Sequence, residues 1–75
     1  MKTYREEELC PLAKKYRMES GKSRAEVAQE FGVSQVTIFN AEETPAQSLT
    51  KMRVRLIETF GPFRVVGPLF SLKRK

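Results

Sequence analysis

Between Ser34 and Asn40 the chain reads SQVTIFN, and four of those seven residues carry a hydroxyl or a carboxamide. Such groups donate and accept hydrogen bonds without charge. They suit recognition of another polar edge, and they supply no acid, base or metal ligand. The rest of the chain is equally poor in catalytic material. There is no His, which removes the commonest general base and the commonest zinc ligand. Cys10 is the single cysteine, so neither an intrachain disulfide nor a Cys-based metal site can form. The nine carboxylates include no pair in a recognisable catalytic context. An enzyme is therefore not expected, nor a cofactor, nor a metal.

Seventy-five residues make one domain, near the lower limit for folding without staples. A hydrophobic content of 40% allows a modest core, and a subunit this small often borrows stability from a partner chain. No apolar run approaches the ~20 residues of a membrane span. The charged start MKTYREEELC lacks the apolar core of a signal peptide. A soluble, reducing, cytoplasmic setting is the expectation. The net charge of +5 is unevenly spread. Residues 21–50 hold two Lys/Arg against four Glu, whereas residues 51–75 hold seven against one.

The elements that must position SQVTIFN are helical. Leu9, Leu12, Ala13 and Tyr16 recur at helical spacing, which predicts a first helix from near Glu7 to Glu19, stopped at Gly21. Pro11 fits only a first turn, so a start at Thr3 is disfavoured. Ser23 with Glu26 forms a capping box for a second helix over 24–31, with Val27, Ala28 and Phe31 on its apolar face. Gly32 supplies a positive φ for a tight turn and Val33 an inward anchor. Ser34 caps a third helix over about 35–43, with Ile38 and Ala41 inward, and Pro45 breaks it. Leu49, Met52, Leu56, Ile57 and Phe60 favour a fourth helix, although the alternation in MRVRL allows a strand. The tail PFRVVGPLFSLKRK predicts a strand over about 63–72, interrupted at Gly67-Pro68 by a bulge or bend or lying at an edge.

A helix-turn-helix requires a small residue early in its first helix, Gly or a tolerant residue in the turn, and apolar residues at fixed offsets. Counted from Arg24, those places fall on Val27, Ala28, Phe31, Gly32, Val33, Ile38 and Ala41, and all are suitably filled. A plain helical hairpin from an ordinary core would match such a set only occasionally. The run RAEVAQEFGVSQVTIFNAEE resembles the Cro and repressor-type (lambda repressor-like) helix-turn-helix proteins of phages and bacteria. The likeness extends back through LAKKYRMESGKS and more loosely forward, covering roughly residues 12–60. Glu43-Thr44 stands where the family often has Asn-Gly, and a basic, strand-like tail replaces a further helix.

The resemblance implies a mainly α fold, a compact four-helix helix-turn-helix domain over residues 1–62. A C-terminal β-strand and basic tail over 63–75 would act as a dimerisation arm, the alternative being a strand that folds back on its own subunit. It implies an ion pair between Arg17 and Glu42. Base edges would be read by Ser34, Gln35, Val36, Thr37 and Asn40, with Gln35 at the family's principal position. A Gln can bond adenine N6 and N7 together, and Val36 can lie against a thymine methyl. Phe39 is expected to pack inward, the alternative being an outward ring that touches a methyl or a sugar. Phosphates would be held by Lys22, Ser23, Arg24, Lys51 and Arg53, with Arg55, Arg64 and the KRK tail adding longer-range attraction. Phe63, Val65, Val66, Leu69 and Phe70 would form the contact of a homodimer reading a pseudo-palindromic operator in double-stranded DNA. The competing expectation is an antitoxin or adaptor that uses the same fold mainly to hold another protein.

Overall fold

The computed structural model describes residues 3–67 and 70–75. A short strand β1 (Thr3–Tyr4) leads through a 3-10 turn (Glu6–Glu8) into α1 (Leu9–Glu19). Then come α2 (Arg24–Phe31), α3 (Gln35–Glu43) and α4 (Thr50–Phe60), followed by β2 (Phe63–Val66) and β3 (Phe70–Arg74). The protein is mainly helical with a small antiparallel sheet. No helix among the described residues is long and apolar enough to cross a membrane.

Helix α1 proper starts at Leu9, two residues later than Glu7, which places Pro11 in its first turn, where no amide donor is needed. Ser23 accepts from the Glu26 amide at 3.1 Å while Glu26 accepts from the Ser23 amide at 3.0 Å, closing the expected capping box of α2. At the other end Gly32 adopts φ 71°. There the Val33 amide donates to Ala28 O at 2.9 Å and the Gly32 amide to Gln29 O at 3.3 Å. These two bonds satisfy the last carbonyls of α2 and turn the chain tightly into α3. Ser34 accepts from the Thr37 amide at 3.2 Å and so begins α3 one residue later.

The core joins all four helices: Leu9, Ala13 and Tyr16 from α1, Val27 and Ala28 from α2, Ile38 and Ala41 from α3, and Leu56 and Ile57 from α4. Residues 52–58 are helical, not a strand. The alternation in MRVRL misleads because Arg53 belongs to the inward stripe with Leu56 and Ile57, while Arg55 lies outside. Gly61 ends α4 under a steric constraint. A Cβ there would sit 2.8 Å from Ile57 O and 2.9 Å from the Tyr16 ring.

The tail departs from the expected single strand over 63–72. It forms two strands, and β3 lies in the middle of a β1-β3-β2 sheet. Arg64 stands opposite Lys73 and Val65 opposite Leu72, while Tyr4 of β1 stands opposite Phe70. A two-residue strand at the N-terminus carries no sequence pattern of its own; it exists because β3 offers it an edge. Phe63, Val65 and Phe70, expected at a subunit contact, pack against this chain's own core, with Phe63 6.1 Å from the Tyr16 ring. Leu69, expected there too, lies outside the described residues. Val66 is exposed. Strands β2 and β3 thus pair with each other and lay Phe63, Val65, Phe70 and Leu72 on the helical core.

Candidate nucleic-acid interface

Three helices meet at a chain of charges beneath α3. Arg17 of α1 donates to both oxygens of Glu42, from Nε at 2.5 Å and from Nη2 at 3.1 Å. Its Nη1 reaches Lys22 O at 2.8 Å. The Glu42 side chain is 0% exposed, so the expected pair is buried as well as formed. Arg24 at the start of α2 also holds Glu42, at 2.8 Å, and takes Glu43 at 2.6 Å, which in turn accepts from Lys14 at 2.6 Å. The bond to Glu42 raises the Arg24 pKa above its already high ordinary value. The Lys14 ammonium holds the Glu43 carboxyl below the usual carboxylate range. This network fixes α3 against both α1 and α2.

With that anchoring, α3 turns Ile38, Ala41 and Glu42 inward and leaves its opposite side open. Ser34 and Gln35 are exposed, and Val36 is 65% exposed. Thr37 is half-buried, its hydroxyl 3.0 Å from that of Ser34. Asn40 is also half-buried and accepts from the Thr44 hydroxyl at 3.2 Å. Phe39 does not pack inward as expected. It is 47% exposed, because the neighbouring Ile38 already occupies the core side and each helical step rotates the next residue away by ~100°. The Arg24 guanidinium carbon lies 5.0 Å from the centre of the Phe39 ring.

The cations expected at phosphate are mostly engaged. Arg53 cannot reach a ligand: it is 0% exposed and its donors are spent internally. Nε goes to Ala41 O at 3.0 Å, and Nη2 goes to Thr44 O at 2.8 Å and Gln47 O at 2.7 Å. Nη1 goes to Glu6 at 3.2 Å, and Glu6 also accepts from the Thr50 hydroxyl. Sequence reasoning missed this role, which shapes the exit of α3 after Glu43. Lys22 pairs with Glu30 at 2.9 Å, and Ser23 is occupied by its capping box. Arg24 is held as described. Lys51 is exposed and makes no ion pair with the described residues. It lines a groove of about 480 Å³ between Thr37 of α3 and the segment Ser48–Met52. Helix α4 begins in that segment with no side chain capping its first amides.

Cys10 is buried in α1, and burial pushes its thiol pKa up, which makes it a poor nucleophile. Farther from α3, Arg55 lies over the Phe31 ring at 4.0 Å, and Arg74 lies over Phe63 at 5.6 Å. Arg64 and Lys73 face each other across the outer side of the sheet. The site therefore consists of a neutral, outward N-terminal turn of α3, a groove bearing Lys51, and an anchored network below. No protein-family model, curated protein or solved structure matches this chain.

Proposed function

We propose that this chain is a sequence-specific double-stranded DNA-binding protein, a small transcriptional regulator of the Cro/repressor helix-turn-helix type. Helix α3 would enter the major groove. The observation that carries the reading is the first turn of α3. Ser34, Gln35 and Val36 project from the end of a helix that is locked by the Gly32 turn behind it and by the Arg17–Glu42 pair beneath it. In this motif the N-terminal residues of the second helix meet base edges while the first helix crosses the backbone. Gln35 is the residue suited to bidentate pairing with adenine, and Thr37 and Asn40 sit at the edge of the same surface.

Phosphate binding rests on a smaller set than five residues. Lys51 and the uncapped amides at the start of α4 flank the groove beside Thr37, and they would together hold one backbone phosphate. Lys14 joins when Glu43 releases it, whereas Arg24 stays held by Glu42. Affinity should fall with salt at a log–log slope of about 0.9 per phosphate neutralised, and only a few are neutralised here. A homodimer on a palindrome would use the outer side of the sheet, where Val66 is exposed, because the inner side is filled by this chain's own core.

A protein-holding adaptor is the second reading, favoured by the pairing of Lys14, Lys22 and Arg24 with Glu43, Glu30 and Glu42, which leaves few cations for phosphate. Fluorescence anisotropy with random and palindromic duplexes at several salt concentrations separates the two. Salt-sensitive binding with a preferred sequence supports the DNA regulator. Absence of binding to any duplex at low salt sinks it and leaves the adaptor.

A further inference from the structure

Val36 and Phe39 are two of the four large hydrophobic side chains exposed among the described residues, and both stand on α3. They are three positions apart, so they lie on one face with Cβ atoms ~5–6 Å from each other. Phe39 is also held in place from the side. The Arg24 guanidinium carbon lies over its ring at 5.0 Å from the centre, and that guanidinium is itself fixed by Glu42 at 2.8 Å and Glu43 at 2.6 Å. An outward aromatic ring propped by a buried-carboxylate network is a preorganised apolar contact, in the way that second-layer hydrogen bonds hold binding groups elsewhere.

The size of this stripe selects its occupant. A stable protein interface buries ~800 Å² on each partner, far more than one Val and one Phe can cover. The surroundings are hydroxyls and carboxamides, which suit base edges. In the major groove the apolar group on a base edge is the C5-methyl of a pyrimidine. Successive bases on one strand are spaced by ~3.4 Å, so a ~5–6 Å separation spans one to two steps.

We infer that Val36 and Phe39 together read two pyrimidine C5-methyl groups one or two steps apart, and that Arg24 is the residue that positions the Phe39 ring. The inference rests on the DNA reading above and names the feature that α3 selects. It also supplies a reason for the scarcity of charge on this face: methyl contacts discriminate without it. Burial of one methyl carbon is worth ~0.8 kcal/mol, or about fourfold in affinity.

The test uses the full chain and a duplex selected from a random pool synthesised with thymine and 5-methylcytosine. In one arm each thymine is replaced singly by deoxyuridine; in the other each 5-methylcytosine is replaced by cytosine. Only a methyl is removed each time. Wild type should lose about fourfold at two positions, one or two steps apart. A loss in the first arm assigns thymine, and a loss in the second assigns 5-methylcytosine. Val36→Ala should abolish the loss at one of these positions and Phe39→Ala at the other. Arg24→Ala should weaken the loss at the Phe39 position alone. Specific binding with no methyl dependence in either arm, or dependence unchanged in Val36→Ala and Phe39→Ala, overturns the inference and leaves the DNA reading standing. Failure of the wild type to select any duplex overturns both.

Discussion

Arg53 and Glu43 are the two residues at which a charge does something other than its sequence context suggests. Arg53 is a buried fastener: one guanidinium ties the end of α3, the following turn and Glu6 together. Arg53→Ala would strand three carbonyls and open a void, costing roughly 3 kcal/mol or more in urea denaturation. A replacement lying on the surface would cost far less, so a small effect would contradict the burial. Glu43 neutralises the cations that flank α3. Glu43→Gln should free Lys14, while Arg24 stays on Glu42, raising affinity for duplex DNA and steepening the salt dependence by about one phosphate equivalent. Anisotropy titrations in two salts read this directly. The carboxyls of Glu26 and Glu43 are both depressed, by the Ser23 backbone hydrogen bond and by the Lys14 hydrogen bond respectively. A depressed carboxyl contributes stability that is complete above its ordinary value of 4.5 and is lost as pH falls through the lower folded value. Thermal melts should therefore lose ground below that pH, and Glu26→Gln should flatten the decline.

The elements differ in how much of each is written locally. Helices α2 and α3 carry their own start and stop signals, Ser23 with Glu26, Gly32, and Ser34, and these bonds form within a few residues. Helix α4 has no cap at its start and depends on the stripe from Met52 to Phe60 that it lays on the core. Its end depends on Gly61, wedged against Tyr16. Gly61→Ala should destabilise by about 1–3 kcal/mol through overpacking, measurable as a lower denaturation midpoint with an unchanged m-value. Strand β2 shows an edge under control: the Val65 amide, which would otherwise point outward, donates to Glu58 at 2.9 Å. A carboxylate at that edge discourages strand-to-strand association.

For the molecule as a whole, the sheet is a lid on the helical body. Tyr4, Phe63, Val65, Phe70 and Leu72 all contribute to the core, and β3 holds both other strands. A chain ending at Pro62 would expose Tyr16 and Leu12 and strand β1. It should unfold at a clearly lower urea concentration with a broadened transition. An arm used only between subunits would instead leave the truncated monomer as stable as the full chain. Sedimentation of the full chain separately tests whether Val66 and its neighbours bring two copies together.

The helical part of the fold was legible in the sequence because capping, turn glycine and apolar spacing act over three or four residues. The Arg17–Glu42 pair could be anticipated only through a family pattern, and its burial came with the packing of three helices. The sequence by itself determined the α2–Gly32–α3 unit and the neutral turn Ser34–Thr37, since those signals are local. Tertiary structure alone decided which cations are free, which way Phe39 faces and where the tail pairs. Arg53 is the clearest case, with partners from Gln47 O, 6 residues away, to Glu6, 47 residues away, and no local spacing encodes such a set.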